Sequence, residues 1–215
     1  MTFTQALNKR DIIKDYFNEI IKDPKPELEF SNEYELLIAV ILSAQTTDVA
    51  VNKVTKVIFS KYKNFDELSN ASIDDIKNNI RNIGLSNNKA RYLKNVSLEL
   101  KGKEFPKTRE ELESLPGVGR KTANVVLSNL HIENAFAVDT HVSRVSKRLG
   151  IASAADNPKT IEDKIIEMFK NYDYYLLHHQ FILFGRYYCK AKHPVCDKCK
   201  LIDICNYKNR NGEKV

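Results

Sequence analysis

The sequence lacks the long apolar segments that a membrane-spanning helix requires. Its longest apolar run, residues 36–42, has seven residues, whereas a spanning helix needs about 20. The N-terminal MTFTQALNKR contains no basic stretch followed by an apolar core, so no signal peptide is expected. No low-complexity tract and no Pro/Gly-rich linker interrupts the chain. These absences predict an intracellular protein that has no membrane partner.

Cysteine is scarce as well, with four residues in a chain of 215. All four lie within the last 27 residues, at Cys189, Cys196, Cys199 and Cys205, spaced C-x6-C-x2-C-x5-C. In an intracellular chain such a group favours metal ligation over disulfides. A structural zinc site usually has two close pairs separated by a long loop, whereas an iron–sulfur cube tolerates uneven spacing because each thiolate binds a different iron. The spacing therefore favours an iron–sulfur cluster over zinc, and over four unrelated reduced cysteines.

The formal net charge is +6 and the pI is about 9.0, which suits a polyanionic partner. From Arg186 to the end there are eight Lys or Arg against three Asp or Glu, so a basic C-terminal patch is expected. Lys192 and Lys198 flank the cysteines, as do Lys190 and Lys200. Two interpretations stay open: these lysines offset the negative charge of a cluster, or they contact phosphates.

The apolar spacing is helical almost throughout, and no segment alternates with the period of a strand. About ten helical segments predict an all-α fold. Ser72 precedes a stripe of isoleucines, Thr108 begins a capping box, and Asn157 is followed by a proline at the first helical position. Residues 36–42 are apolar on every side, which is typical of a helix buried within a bundle.

Residues 115–126 read LPGVGRKTANVV. A helix that ends at Leu115, a Gly-x-Gly turn and a helix that begins near Arg120 form a helix–hairpin–helix. Glycine at 117 and 119 permits positive φ and a close approach of the backbone to another surface. The unpaired N–H groups at the helix start then form a phosphate seat built from Gly117, Val118, Gly119 and Arg120. A plain tight turn between two helices is the alternative, and the whole motif favours the hairpin.

Lys121 stands in the first turn of that second helix, beside Arg120. The positive end of the helix dipole and the neighbouring cation both disfavour further positive charge, which is how a lysine is prepared as a nucleophile. A solvated or phosphate-binding lysine is the other interpretation. Asp139 is a plausible N-cap of the next helix, and the apolar residues 136–138 before it predict a buried approach that holds the carboxylate rigidly.

Several motifs occur together in one order: LPGVGRKTANVV, then AFAVDTHVSRV at 135–145, then the cysteine spacing. With YELLIAVILSAQTTDV at 34–49 and IGLSNNKA at 83–90, the chain closely resembles the endonuclease III family of the helix–hairpin–helix superfamily. The resemblance runs from about residue 10 to 208. It implies two helical domains that flank a DNA-binding cleft. A six-helix barrel with the hairpin would span 26–135, and a discontinuous domain with a 4Fe–4S cluster loop would combine 1–25 and 136–215.

The resemblance also implies an activity, that of a bifunctional DNA glycosylase and AP lyase in base excision repair. Such an enzyme removes oxidised or ring-saturated pyrimidines from duplex DNA. Lys121 would attack C1′ of the damaged nucleotide, displace the base and form a Schiff base, and β-elimination would then cut the strand. Asp139 would either stabilise positive charge on the sugar or help to take the proton from Lys121.

A base inside a duplex must be flipped out before it can react. The glutamine and leucine that fill or wedge the gap in the family correspond to Gln45 and Leu85. The four cysteines would hold the 4Fe–4S cluster, and Lys192 and Lys198 would join the DNA contacts. The expected partner is damaged double-stranded DNA, and the protein is expected to be a monomer in the bacterial cytoplasm, associated with the nucleoid.

The same residues distinguish the bifunctional enzyme from alternative functions. A sister adenine glycosylase normally lacks the lysine and carries a glutamate in the helix that leads to the glutamine, but residues 38–45 contain no carboxylate. The thymine-mismatch branch also replaces the lysine. A non-catalytic DNA-binding module or redox sensor would need neither Lys121 nor Asp139. These observations favour the bifunctional enzyme.

Overall fold

The computed structural model describes residues 3–207, with side chains from Asn8 onward. Within this range the chain forms eleven α-helices, one π-helical turn and one 3-10 turn, and it contains no strand. The predicted all-α class is confirmed. The helices are α1 Phe3–Ile20, α2 Glu33–Ser43, α3 Asp48–Lys61, α4 Phe65–Asn70, α5 Ile73–Asn79, α6 Ser86–Leu100, α7 Arg109–Glu113, α8 Arg120–Asn129, α9 Thr140–Arg148, α10 Pro158–Met168 and α11 Tyr174–Leu183.

Side-chain caps begin most of these helices, as the sequence predicts. Ser72 Oγ accepts a hydrogen bond of 3.0 Å from the N–H of Asp75 at the start of α5. Thr108 and Glu111 form a reciprocal capping box at the start of α7. Asn157 accepts from Thr160 N–H at 2.9 Å, with proline at the first position of α10. Each cap satisfies an N–H group that has no partner within its own helix.

One predicted stripe is longer than its helix. α5 ends at Asn79, although the isoleucine pattern continues to Ile83. The N–H of Ile80 contacts the carbonyls of both Ile76 and Lys77, so the last turn tightens and stops. Ile80 and Ile83 are nevertheless buried. Ile76 is buried as well, but Ile73, the first isoleucine of the stripe, is 41% exposed. The spacing thus predicted three of the four buried side chains correctly, and it extended the helix one turn too far.

The chain divides into two compact units, one comprising Pro26–Ala135 and the other the chain before and after it. The first unit contains α2 to α8. All seven residues from 36 to 42 on α2 are buried in its core, as predicted. Each Leu, Ile and Val side chain among them contributes about 1.5–3 kcal/mol by leaving water.

The second unit combines α1 with α9, α10 and α11. Its core is aromatic: the ring of Phe17 on α1 lies 5.1 Å from that of Phe181 and 5.0 Å from that of Phe184. Tyr16 donates its hydroxyl to the carbonyl of Lys198 at 3.3 Å. The helix at one end of the chain is therefore held by residues from the other end.

Candidate nucleic-acid interface and active site

The hairpin between α7 and α8 is shaped by two different glycines. Gly117 has φ +80°, and a Cβ there would lie 2.6 Å from Cγ of Tyr92. Gly119 has φ −104°, and a Cβ there would meet nothing within 4 Å. Positive φ, which was expected to be useful at both positions, is therefore adopted at Gly117 alone. Gly119 instead leaves the start of α8 bare of a side chain.

The N-terminus of α8 is open, because Gly119 provides no side-chain cap. Lys121 is exposed in the first turn of this helix, and Arg120 is half-buried. Val118 is different from its neighbours in the motif, since its side chain is buried and its N–H donates to the carbonyl of Leu115 at 3.1 Å. Val118 thus anchors the turn to the core, whereas Gly117, Gly119 and Lys121 are exposed.

Three residues of the same unit other than glycine have positive φ, namely Gln45, Leu85 and His131. Gln45 and Leu85 are both exposed, and both have positive φ, 55° and 59°. The left-handed region is unfavourable by about 1–2 kcal/mol for residues other than glycine, and such strain concentrates at functional sites. Leu85 also precedes α6 without providing a side-chain cap, and it is 53% exposed although it is apolar. Both side chains are therefore presented outward by tight turns.

Asp139 belongs to the other unit and caps α9, as the sequence predicts. Its Oδ1 accepts a hydrogen bond of 2.8 Å from the N–H of Val142. Residues 136–138 before it are buried, and the carbonyl of Ala137 contacts Nδ1 of His178 at 3.0 Å. The buried approach fixes the backbone that carries the carboxylate, while one carboxylate oxygen holds the helix start.

The four cysteines follow a π-helical turn at residues 184–188 and lie in the loop 189–205, here called the cysteine loop. All four side chains line one cavity. Among the described residues, no group of three or more His, Cys, Asp or Glu is placed to hold a single metal ion. Burial raises the pKa of the thiols of Cys196 and Cys199, and the sulfur of Cys189 raises both further. The sulfurs therefore share one compartment without closing on one atomic centre.

Two arginines that the sequence did not single out hold this loop. Arg148 donates to Sγ of Cys189 at 3.3 Å, to the carbonyl of Lys190 at 2.7 Å and to that of Ala191 at 3.2 Å. Arg144 donates to the carbonyls of Gly185 at 2.6 Å and Cys189 at 3.1 Å. Both arginines lie on α9, some forty residues earlier in the chain. Basic residues near a helix C-terminus are ordinary, so no local signal marked them.

Comparison with known proteins identifies the family to which this architecture belongs. Residues 38–171 match the family model of the HhH-GPD superfamily of base excision DNA repair proteins. Endonuclease III of Bacillus subtilis (strain 168) is 42% identical over 211 residues, which are 97% of this chain and 94% of that protein. The chain belongs to the endonuclease III family. The endonuclease III of Haemophilus influenzae is likewise 42% identical, over 87% of this chain and 90% of that protein.

Solved structures agree with this membership of the endonuclease III family. The chain matches the structure of a trapped endonuclease III–DNA covalent intermediate with a TM-score of 0.87 and 42% identity, over 92% of this chain and 95% of that one. A thermostable thymine-DNA glycosylase matches with a TM-score of 0.82 and 26% identity, over 93% and 96%. The predicted enzyme class, a bifunctional DNA glycosylase and AP lyase, is confirmed.

Two further expectations for this endonuclease III fold concern membrane-spanning helices and the lysines of the cysteine loop. None of the helices within residues 3–207 is both long and apolar enough to cross a membrane. Lys192 and Lys198 are exposed on the cysteine loop. Lys200, in contrast, forms an ion pair with Glu19 of α1 at 2.6 Å. One lysine of the basic segment therefore pairs with α1, and the three others, Lys190, Lys192 and Lys198, are exposed.

Proposed function

We propose that the protein removes oxidised or ring-saturated pyrimidines from duplex DNA and cleaves the resulting abasic site by β-elimination. Lys121 is the nucleophile in this proposal, and Asp139 assists it. The observation that carries the proposal is the exposed amine of Lys121 in the first turn of α8, directly after an uncapped glycine hairpin. This arrangement brings a reactive amine next to a seat for the DNA backbone.

The phosphate seat is supported by a contrast among the described helices. α2, α3, α4, α5, α7, α9, α10 and α11 each begin with a side-chain cap, whereas α6 and α8 do not. The first N–H groups of a helix lack acceptors within that helix and attract anions. Phosphates at the start of α8 would take the place of the missing cap, next to Gly117, Gly119 and Arg120.

The chemistry follows from what an amine can do at a sugar carbon. Nζ of Lys121 attacks C1′, the N-glycosidic bond breaks, and the base leaves with its bonding electron pair. Loss of a proton from Nζ and breakage of the C1′–O4′ bond, whose oxygen takes up a proton, then open the sugar ring and give a Schiff base. The Schiff base makes a proton on C2′ acidic, and its loss expels the 3′ phosphate. Asp139 is held rigidly enough either to stabilise positive charge on the sugar or to accept the proton from Lys121.

The target base must leave the stack before Lys121 can reach C1′. Gln45 and Leu85 suit this step because tight left-handed turns project both side chains outward. Leu85 would wedge the duplex and Gln45 would fill the space that the base vacates. Lys192 and Lys198, which are exposed on the cysteine loop, would contact phosphates of the DNA backbone.

The four cysteines fit a 4Fe–4S cluster better than a zinc ion. Their side chains line one cavity, yet no three of the described ligand-type side chains converge on a single point. A cube, in which each thiolate reaches a different iron, suits the uneven spacing C-x6-C-x2-C-x5-C. When bound, the cluster would cross-link the cysteine loop, and its charge would be offset by Arg148 and the loop lysines. Four iron atoms per chain, measured with acid-labile sulfide, is the expected content, and one zinc without iron would refute the cluster.

The partner is damaged double-stranded DNA, and the net charge of +6 supports electrostatic attraction to it. We place the protein in the cytoplasm, at the nucleoid, because its substrate lies there. We expect it to act as a monomer. Weakening of DNA binding as the salt concentration rises tests the electrostatic attraction to DNA, and sedimentation of the free protein tests the monomeric state.

A covalent trapping experiment tests the nucleophile. Duplex DNA with a thymine glycol or an abasic site is incubated with the protein, and borohydride is added to reduce the Schiff base. We expect a stable protein–DNA adduct that Lys121→Ala abolishes. Lys101→Ala is the matched control, because Lys101 lies at the far end of α6 and bonds Asn70 at 3.2 Å. Full trapping with Lys121→Ala would exclude the proposed nucleophile.

A panel of lesions tests the proposed substrate class. Thymine glycol and 5-hydroxycytosine should be excised, with a strand break at the same position. Duplexes with 8-oxoguanine or an adenine mispair should react at least tenfold more slowly. Preferential release of adenine would instead support the sister glycosylase, and DNA binding without any excision would support a non-catalytic module.

A further inference from the structure

A buried lysine lies close to the two projecting turns. Lys89 on α6 is 2% exposed, and its Nζ donates a hydrogen bond of 2.6 Å to Oγ1 of Thr46. The two residues are 43 positions apart in sequence, so the contact joins separate segments of the unit Pro26–Ala135. Thr46 itself is half-buried. The bond is therefore shielded from much of the competition with water that weakens surface contacts.

Each partner in this bond sits next to one of the two turns. Thr46 directly follows Gln45, and its N–H closes the turn by donating to the carbonyl of Ser43 at 3.1 Å. Lys89 lies one helical turn after Leu85, and its N–H donates to the carbonyl of Leu85 at 3.0 Å. One side chain thus connects the turn that presents Gln45 with the turn that presents Leu85.

Stability alone does not explain a lysine at this position. Transfer of an ammonium group out of water is unfavourable unless its hydrogen bonds are replaced, and burial lowers the pKa of Lys89 below its ordinary value. The neighbouring residues Ala90 and Leu93 are fully buried, so α6 already has an apolar face for packing. A methionine would fill the same space at no electrostatic cost.

We propose that Lys89 is a positioning residue for base extrusion: its bond to Thr46 holds the Gln45 and Leu85 turns at one fixed separation. The inference rests on the proposed function, in which these two side chains enter the duplex. An apolar contact is non-directional and permits sliding, whereas a hydrogen bond sets both a distance and a direction. Two exposed side chains held by one bond enter the duplex together, and neither has to be ordered separately during the reaction.

The test separates extrusion from chemistry. Lys89→Met keeps the length of the side chain and removes the donor. We measure base extrusion by the fluorescence of 2-aminopurine beside a thymine glycol, together with single-turnover excision from that duplex. The second substrate is a single-stranded abasic site, where no paired base must be extruded, assayed by borohydride trapping. We expect extrusion and duplex excision to fall at least tenfold, and single-strand trapping to stay within about twofold of the parent chain.

Companion variants make the result specific to this bond. Thr46→Val removes this bond and also the bond from Oγ1 to the carbonyl of Ala44 at 3.3 Å, so its defect should be at least as large as that of Lys89→Met. Adding Lys89→Met to Thr46→Val should cause little further loss, because the bond between the two residues is already absent. Thr46→Ser keeps the hydroxyl and should retain extrusion. The melting temperature of Lys89→Met should be equal to or above that of the parent.

Other outcomes overturn the inference. Equal losses on duplex and single-stranded substrates, or a fall in melting temperature that parallels the activity, would mean that Lys89 only supports the fold. Unchanged extrusion in Lys89→Met would exclude the positioning role directly. If the parent chain traps neither substrate, the proposed function fails before the role of Lys89 is reached, so the two failures are distinguishable.

Discussion

The guanidinium of Arg148 lies 3.3 Å from the sulfur of Cys189, while the carbonyl of the same residue accepts from Sγ of Cys205, also at 3.3 Å. That carbonyl also accepts from the N–H of Asn206 at 2.7 Å. The guanidinium further lies over the ring of Tyr207, 3.9 Å from its centroid. The last residue of α9 therefore holds both ends of the cysteine loop.

Replacing Arg148 by glutamine should loosen one end of the loop and leave the other in place, because the backbone carbonyl remains. We expect iron to be lost to a chelator several times faster, followed by the fading of visible absorbance. The melting temperature should fall by several degrees, since hydrogen bonds from a charged donor contribute about 1.5–3 kcal/mol each. Lys147→Gln is the control, because it removes the same charge one residue away, where Nζ bonds the carbonyl of Ala154. Equal iron loss from both variants would argue against a specific role for Arg148.

Asp139 has two roles that substitution can separate. Asn is as good a cap as Asp, so Asp139→Asn should keep the bond to the N–H of Val142 and the stability of α9. Asp139→Ala should lose about 1 kcal/mol. Excision should fall by roughly 10²-fold or more in both variants, because both lack the carboxylate. Urea unfolding and single-turnover excision are the measurements, and a fully active Asp139→Asn would contradict the catalytic assignment.

The hairpin glycines should respond differently to the same small change. Gly117→Ala places a Cβ against the ring of Tyr92 at positive φ, and a non-glycine residue in that region is strained by about 1–3 kcal/mol. Gly119→Ala has an ordinary φ and open space, so it should lose less than about 1 kcal/mol. Thermal unfolding tests this order. Equal destabilisation by the two substitutions would show that the turn does not depend on the conformation of Gly117.

Acid should weaken the fold through His179. Burial, and to a lesser extent the neighbouring His178, lowers the pKa of His179 from 6.5 to about 3. Between those two pH values the unfolded chain binds a proton that the folded chain does not. The free energy of unfolding therefore falls as the pH falls through this window, by up to about 1.4 kcal/mol per pH unit.

Substitution by phenylalanine tests this linkage. His179→Phe cannot titrate, and it can keep the edge contact with Tyr175, whose ring lies 4.7 Å away. Its stability should vary less between pH 4 and 7 than that of the parent. A parent slope retained in His179→Phe would rule out His179 as the group responsible.

Short-range sequence patterns predicted the helix caps, the all-α class, the buried helix α2 and the hairpin. The caps at Ser72, Thr108, Asn157 and Asp139 are short-range hydrogen bonds, so the residues that make them stand within four positions of each other. The all-α class and the buried α2 followed from periodicity and from an apolar run in the same way. The helix–hairpin–helix could be read because its glycines and flanking helices are contiguous.

The features that the sequence did not predict depend on contacts between distant segments of the chain. Arg148 reaches residues some forty positions later, and Lys89 reaches Thr46 across 43 positions. Neither departs from ordinary helical composition, so no pattern along the chain marks it. The left-handed backbone of Gln45 is likewise set by packing of the turn and not by a glycine or asparagine at that position. The site roles of Lys121, Gln45 and Leu85 stay predictions that the proposed experiments address.

The discontinuous unit imposes an order on how the chain is made. α1 is synthesised well before the residues it packs against: Gln180 donates to Asn18 at 2.9 Å and to the carbonyl of Ile21 at 3.1 Å, and Lys200 reaches Glu19. The unit Pro26–Ala135, by contrast, has its whole core within one continuous stretch of chain. It can therefore fold on the ribosome before the residues that cover Phe17 of α1 have been synthesised. The docking of α1 is therefore complete only after residue 200 has been synthesised. A chain interrupted before residue 181 lacks both rings that contact Phe17, so it keeps an aromatic surface exposed that quality-control proteases and chaperones can recognise.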